Sequence, residues 1–277
     1  MCGITGWIDW TRDLTLDSAI LENMTDTLAP RGPDASGTWI TTHCALGHRR
    51  LSVMDPENGA QPMVRHAGDN TFVIVYNGEL YNAPELKREL EGRGHRFSTN
   101  CDTEVLLVAY IEWGPEALDR FNGIYAFAVW DTRAERLFAA RDRLGVKPFF
   151  YAEVDGKFLF GSEPKAILAH PSFEPAVGAE GLAEVFVIGP ARTPGVGIYQ
   201  GMTELKAGQC LTVDRSGVRV RTYWRLESRP HEDDEAKTAE RVRELLRDTV
   251  EHQLLSDVPV CTLLSGGLDS SALTALA

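Results

Sequence analysis

No run of eighteen apolar residues occurs in the 277-residue sequence, and its opening, MCGITGWIDW, lacks the basic segment and long apolar stretch of an export signal. Neither a membrane partner nor a secretory route is expected. Cysteine is scarce and scattered: five residues, Cys2, Cys44, Cys101, Cys210 and Cys261, with no CxxC spacing. That excludes a disulfide scaffold and a zinc knuckle, leaves no expected metal site, and fits a reducing cytoplasm. Basic residues are outnumbered, 28 Lys and Arg against 40 Asp and Glu, for a formal charge of −12. A nonspecific nucleic-acid binder needs concentrated basic surface, so nucleic acid is not an expected partner. Internal repeats and low-complexity tracts are also missing.

What is present is ordinary globular material, 43% hydrophobic and 25% charged, in a length that allows one large domain or two unequal ones. Short, partly alternating apolar runs at 44–46, 72–76, 124–130, 137–140, 149–152 and 158–160 read as strands. Turn signals stand between them at Asn77-Gly78, Asn122-Gly123 and Asp155-Gly156, and helical patterns cover 84–91, 103–113 and 163–168. Strands joined by short turns without crossover helices predict antiparallel sheets sandwiched between helical layers, an α+β class.

The Gly- and Pro-rich stretch 189–201 marks a boundary, set here at residue 205, giving domains 2–205 and 206–277. A polar linker follows at 227–237, then an amphipathic helix with Val242, Leu245, Leu246, Thr249 and Val250 on one face. After it, the apolar run 258–264 reads as a strand, Ser265-Gly266-Gly267 as a loop and 269–277 as a helix, the opening of a nucleotide-binding α/β domain.

Cys2 follows the initiator, and aminopeptidases remove Met1 before a small side chain, so the mature chain is expected to begin at the cysteine. Thiol and free α-amine then share one residue. An α-amine with a pKa near ~8 accepts the thiol proton at neutral pH, whereas a lysine near ~10 is mostly protonated. In order along the chain come Met1-Cys2-Gly3-Ile4-Thr5-Gly6, Arg31-Gly32-Pro33-Asp34, Gly47-His48-Arg49-Arg50-Leu51-Ser52, Tyr76-Asn77-Gly78-Glu79-Leu80-Tyr81-Asn82 and Cys101-Asp102-Thr103-Glu104. Together these blocks resemble the glutamine amidotransferase domain of the N-terminal-nucleophile hydrolases. The resemblance covers about residues 2–205 and implies a four-layer αββα sandwich.

It also implies roles. Cys2 attacks the glutamine side-chain amide, and the Asn77 side chain with the Gly78 backbone N–H stabilises the oxyanion from a turn after a strand. The planar fork of Arg50 suits the substrate α-carboxylate, and Asp102 the α-ammonium, with Glu79 a second candidate. Local sequence leaves two alternatives open: Asn77-Gly78 as a plain hairpin turn, and Asp102 as the N-cap of the helix that follows. Arg49 reads as a surface or supporting residue, Arg31 and Asp34 as a pair shaping the loop beside the thiol, and the other cysteines as small buried residues.

The segment Leu263-Leu264-Ser265-Gly266-Gly267-Leu268-Asp269-Ser270-Ser271 lacks the spacing and Gly-Lys-Ser/Thr ending of a Walker A motif. It resembles the pyrophosphate loop of adenylate-forming ATP pyrophosphatases, with Leu264, Ser265, Gly266, Gly267, Asp269 and Ser270 as its ATP-contacting set and a cation-linked or structural role for Asp269. With Ser256-Asp257-Val258-Pro259, this loop behind an amidotransferase domain is similar to the glutamine-dependent asparagine synthetases. That family makes asparagine from aspartate, glutamine and Mg²⁺-ATP through β-aspartyl-AMP. A synthetase domain should run well beyond the loop, so the expectation for this chain is a complete glutaminase half and little or no asparagine synthesis. The relatives are often dimers, which makes a homodimer an expected assembly. Two alternatives stand beside this reading: an amidotransferase serving another carboxylate acceptor in a tailoring enzyme, and a noncatalytic glutamine-binding or regulatory remnant.

Overall fold

The stretches 72–76 and 124–130 carry apolar side chains on both faces, and such strands are stable only when both faces are covered. The computed structural model describes residues 1–189 and 191–277. In chain order its strands are β1 (Gly3–Ile8), β2 (Ala35–Ile40), β3 (Cys44–Arg50), β4 (Met63–Ala67), β5 (Asn70–Leu80), β6 (Gly123–Asp131), β7 (Arg136–Arg141), β8 (Phe150–Val154), β9 (Lys157–Gly161), β10 (Met202–Glu204), β11 (Gln209–Asp214) and β12 (Gly217–Thr222). The principal helices are α1 (Ser18–Asp26), α2 (Ala83–Gly92), α3 (Asp102–Trp113), α4 (Pro164–Leu168), α5 (Ala179–Ala183), α6 (Glu235–Gln253) and α7 (Leu268–Leu276).

Two antiparallel sheets result, ordered β10-β8-β9-β1-β3-β2 and β12-β11-β7-β6-β5-β4. Alternation decides what lies between them. Ile4 and Ile8 of β1 meet Val73 and Val75 of β5 and Ala126, Ala128 and Trp130 of β6 in the central core. The opposite face of the first sheet puts Trp7 and Leu159 against Leu21, Met24 and Ile167 from α1 and α4. The opposite face of the second puts Ile74, Phe127 and Phe138 against Leu86, Leu90, Leu106 and Tyr110 from α2 and α3. Helix, sheet, sheet, helix is the expected αββα sandwich. Each fully buried large apolar side chain contributes about 1.5–3 kcal/mol to holding these layers together.

Asp155-Gly156 forms the expected two-residue hairpin turn, with φ of 49° and 75° between the paired residues Val154 and Lys157. Asn77-Gly78 does not form a turn. Both residues lie inside β5, paired with Ala126 and Tyr125 of β6, because β5 continues alongside β6 as far as Leu80. Gly78 is required there by β6: an added Cβ would sit 2.4 Å from the Ile124 carbonyl oxygen and 2.8 Å from the Tyr125 Cα. Gly78→Ala is therefore expected to destabilise the chain by about 1–3 kcal/mol in urea unfolding. An unchanged midpoint would show that the two strands part without cost.

β11 and β12 follow residue 205 but extend the second sheet, β11 pairing with β7 and β12 with β11, so the sheet continues as far as Thr222. Farther on, Asp234 caps α6 by accepting a hydrogen bond from the Lys237 N–H at 2.9 Å. On the expected apolar face of α6, Val250 is buried while Val242, Leu245 and Leu246 are exposed. The strand expected at 258–264 does not form. A strand needs a neighbour for its backbone groups, and among the described residues no strand pairs with this segment, whose Val260, Leu263 and Leu264 are exposed. Asp257 ties the region to the loop after β3: its N–H donates to Val53 O at 3.1 Å, and its carboxylate accepts from the Asp55 N–H at 2.7 Å. Among the described residues no helix is long and apolar enough to cross a membrane.

Candidate active site

Cys2 stands immediately before β1, half-buried, where the end of β3 turns into its loop. Its sulfur accepts from the Leu51 N–H at 3.4 Å and lies 3.6 Å from the Leu51 carbonyl oxygen. Burial is the larger effect and leaves the thiol pKa raised, although the Leu51 backbone, the α-amine, Arg50 and Lys147 each pull it down. The α-amine, carried by Met1 in this chain, has its own pKa lowered chiefly by burial, which favours the neutral, proton-accepting form.

One cleft of about 100 Å³ is lined by Cys2, Arg50, Asn77, Gly78, Glu79 and Asp102, so all six residues expected at a glutamine site come together. The open edge of β5 forms one wall. β4 pairs with β5 only as far as Ile74, leaving the later residues free on that side. There the Tyr76 N–H donates to Gln61 Oε1 at 2.7 Å and the Leu80 N–H to Asp102 Oδ2 at 2.9 Å. N–H groups two residues apart in a strand share an edge, so the Gly78 N–H points from this same edge into the cleft, away from β6. Beside it, Asn77 is buried and its Nδ2 has no hydrogen-bond partner. A buried donor left unsatisfied costs about 1–3 kcal/mol, which is maintained here next to the thiol.

Arg50 is not the free fork expected from sequence. Its guanidinium donates to the carbonyls of Pro56 at 2.9 Å and of Met54 and Asp55 at 2.8 Å each, which leaves two of the five guanidinium N–H groups for a ligand. Asp102 is not a cap: Cys101 occupies the N-cap of α3 and Asp102 is its first residue. The Asp102 carboxylate is buried and also accepts from the Tyr76 hydroxyl at 2.8 Å. Burial raises the pKa of Asp102, against the opposing hydrogen bonds, and raises that of the half-buried Glu79.

Arg31 and Asp34 do not pair with each other. Arg31 donates to Cys2 O at 2.9 Å and pairs with Glu163 at 2.9 Å, and Asp34 accepts from the Ser52 N–H at 2.8 Å. Arg49 pairs with Asp26 at the surface at 2.8 Å. Cys44, Cys101 and Cys210 are buried, but Cys261 is exposed in the segment that forms no strand. Sequence reasoning missed Gln61, Tyr76 and Lys147, all lining the cleft. Tyr76 directly precedes Asn77 and shares its local signal, whereas Gln61 and Lys147 stand in stretches with no local chemical signal.

The second expected site is an exposed loop ahead of α7. Gly266 has φ +85°, Gly267 is the N-cap residue, and the Ser265 and Ser270 hydroxyls lie 2.9 Å apart. Ser270 Oγ also donates to Gly267 O at 3.1 Å, while Leu264 and Asp269 are exposed on either side. Two hydroxyls, open glycine backbone and a helix N-terminus form a donor set that fits phosphate oxygens.

A glutamine amidotransferase domain family matches residues 1–224, and an asparagine synthase family matches residues 241–277. Asparagine synthetase [glutamine-hydrolyzing] 3 of Bacillus subtilis strain 168 is 53% identical over 277 residues, which is 100% of this chain and 45% of that protein. Asparagine synthetase B [glutamine-hydrolyzing] of Escherichia coli K12 is 32% identical over 280 residues, 100% of this chain and 44% of that protein. The chain thus spans less than half the length of these relatives. Two solved structures share the fold at 20% identity, each covering 80% of this chain and 49% of the other: an allosteric regulatory enzyme of purine biosynthesis at a TM-score of 0.61, and the glutamine phosphoribosylpyrophosphate amidotransferase of B. subtilis at 0.56. With the family match running from the cysteine block through both sheets, the chain belongs to the glutamine amidotransferase domain family, followed by the opening residues of an asparagine synthase domain.

Proposed function

We propose that this chain hydrolyses the side-chain amide of glutamine to glutamate and ammonia, with Cys2 as nucleophile once Met1 is removed. The observation that carries the reading is the meeting, in one cleft, of a thiol with Asn77 Nδ2, a buried donor without a partner among the described residues, and with the Gly78 N–H, which strand alternation turns toward the cleft. The free α-amine takes the thiol proton, directly or through water, and the sulfur attacks the amide carbon. The negative charge that develops on the carbonyl oxygen is met by the two waiting donors, which need no reorganisation. The C–N bond breaks as the amine returns the proton to the departing nitrogen, and water then hydrolyses the thioester. The two remaining Arg50 N–H groups take the substrate carboxylate, and Glu79 with Asp102 takes its ammonium.

Because burial raises both carboxyl pKa values, acid should neutralise the ammonium site earlier than ordinary carboxylates would. The KM for glutamine is expected to rise on acidification at a pH above the ~4 where ordinary carboxylates protonate, while the substrate ammonium stays charged. A KM that stays flat down to about 4 would remove Glu79 and Asp102 from ammonium binding.

In the whole protein, we assign the ammonia to an aspartate carboxylate activated as β-aspartyl-AMP. The Ser265 to Ser270 loop and the N-terminus of α7 would hold ATP phosphates there, and Mg²⁺-ATP would supply the adenylyl group. The division between the two parts falls after Trp224. The deciding experiment is ammonia release from glutamine by the purified chain, with and without ATP, Mg²⁺ and aspartate, alongside its intact mass. Release without ATP from a chain beginning at Cys2 is the expected result, and no release from such a chain would overturn the proposal.

A further inference from the structure

Lysine is almost never fully buried without a partner, because its ammonium must be desolvated. Lys147 is 6% exposed and lines the cleft with Cys2, yet no hydrogen bond or ion pair reaches its Nζ among the described residues. Its backbone, by contrast, is held on both sides. The Lys147 N–H donates to Asp142 Oδ2 at 3.0 Å, and its carbonyl accepts from Arg141 Nε at 2.7 Å. Arg141 in turn donates to the carbonyls of Leu205 at 2.6 Å and Gly145 at 2.7 Å and pairs with Glu204 at 3.0 Å. Asp142 is occupied as well, accepting from the N–H groups of Leu144, Val146 and Tyr125. The turn after β7 is thus a rigid mount for one unpaired cation.

Resting on the assignment of Cys2 as nucleophile, we propose that Lys147 is a positioning residue whose ammonium, facing the same cleft, stabilises the Cys2 thiolate and so eases loss of the thiol proton. The proton released from the thiol passes to the α-amine or to solvent, and Lys147 keeps its own. The charged groups around this ammonium are Glu79 on β5, the Cys2 thiol and the chain's α-amine ahead of β1, Arg31 after α1, and Asp142 on the turn itself. Arg31 is engaged by Glu163 and the Cys2 carbonyl, and Asp142 by backbone donors. Cys2 and Glu79 are the two anions left for Lys147 to meet. Burial lowers the pKa of Lys147, and Glu79 and Cys2 each raise it again.

The test needs no glutamine. Iodoacetamide alkylation of the full, Met1-processed chain is followed by peptide mass against pH, reading Cys2 and, in the same sample, the exposed Cys261 as an internal reference. In Lys147→Met the Cys2 midpoint should rise by about one pH unit, slowing alkylation about tenfold at pH values below it, with Lys147→Arg close to the parent and Cys261 unmoved. Lys147→Gln gives the same reading should the methionine variant fail to unfold cooperatively. An unchanged Cys2 midpoint in the neutral variants overturns the proposal, as does an equal rise in Lys147→Arg, which would make shape and not charge responsible. A chain that releases no ammonia but shows the charge-dependent midpoint would instead count against the glutaminase reading alone.

Discussion

Replacing Cys2 by alanine should reduce ammonia release from glutamine by at least about 10⁴-fold, because no other group in the cleft can form the thioester. Cys101 also lines the cleft, but it is buried at the N-cap of α3 with its thiol pKa pushed up to about 12, chiefly by burial. It cannot stand in as a thiolate near neutral pH. The substitution removes one half-buried sulfur at the chain end, outside the three cores, so the urea midpoint should move by less than about 1 kcal/mol in stability. Steady-state ammonia assays and denaturation on the same sample separate the two effects. A rate within about tenfold of the parent would exclude Cys2 as the nucleophile.

Asn77→Ala should lower kcat by about 10²–10³-fold with KM nearly unchanged. The reason lies in what Nδ2 does in the free protein: it is buried and donates to nothing. A group with no ground-state partner at hydrogen-bond distance is poised for charge that appears only as the tetrahedral intermediate forms. The residual rate would rest on the Gly78 N–H, which no side-chain substitution removes. If KM rose while kcat held, Asn77 would be a glutamine-binding residue and the oxyanion would need another donor.

The layers were legible because alternation is a local property. The runs around Phe72 to Tyr76 and Ile124 to Trp130 announce strands with two apolar faces, and two such faces demand covers on both sides. Asn77-Gly78 misled for the same reason that Asp155-Gly156 did not. The dipeptide has equal turn chemistry in both places, but at 155–156 the paired strands end, whereas at 77–78 β6 runs alongside and keeps the chain extended. The segment 258–264 erred in the other direction: its apolar run is strand-like, but strand formation depends on a neighbour that local sequence does not report.

Residue types and their order were enough to name the chemistry: a cysteine at position 2, an arginine fork, an Asn-Gly pair and an aspartate ahead of a helix, in blocks that carry a family resemblance. Long-range contacts set the terms on which those residues work. Arg50 loses three of its donors to carbonyls at 54–56. Gly78 gains a free N–H because β4 stops short of it. Lys147, unremarked in its own stretch of sequence, is delivered to the thiol by a turn braced from β10. Side-chain identity is written one residue at a time, but whether a donor is spent, idle or aimed depends on distant partners, 132 positions away for Arg31 and Glu163, and those meet only after the sheets have paired and stacked.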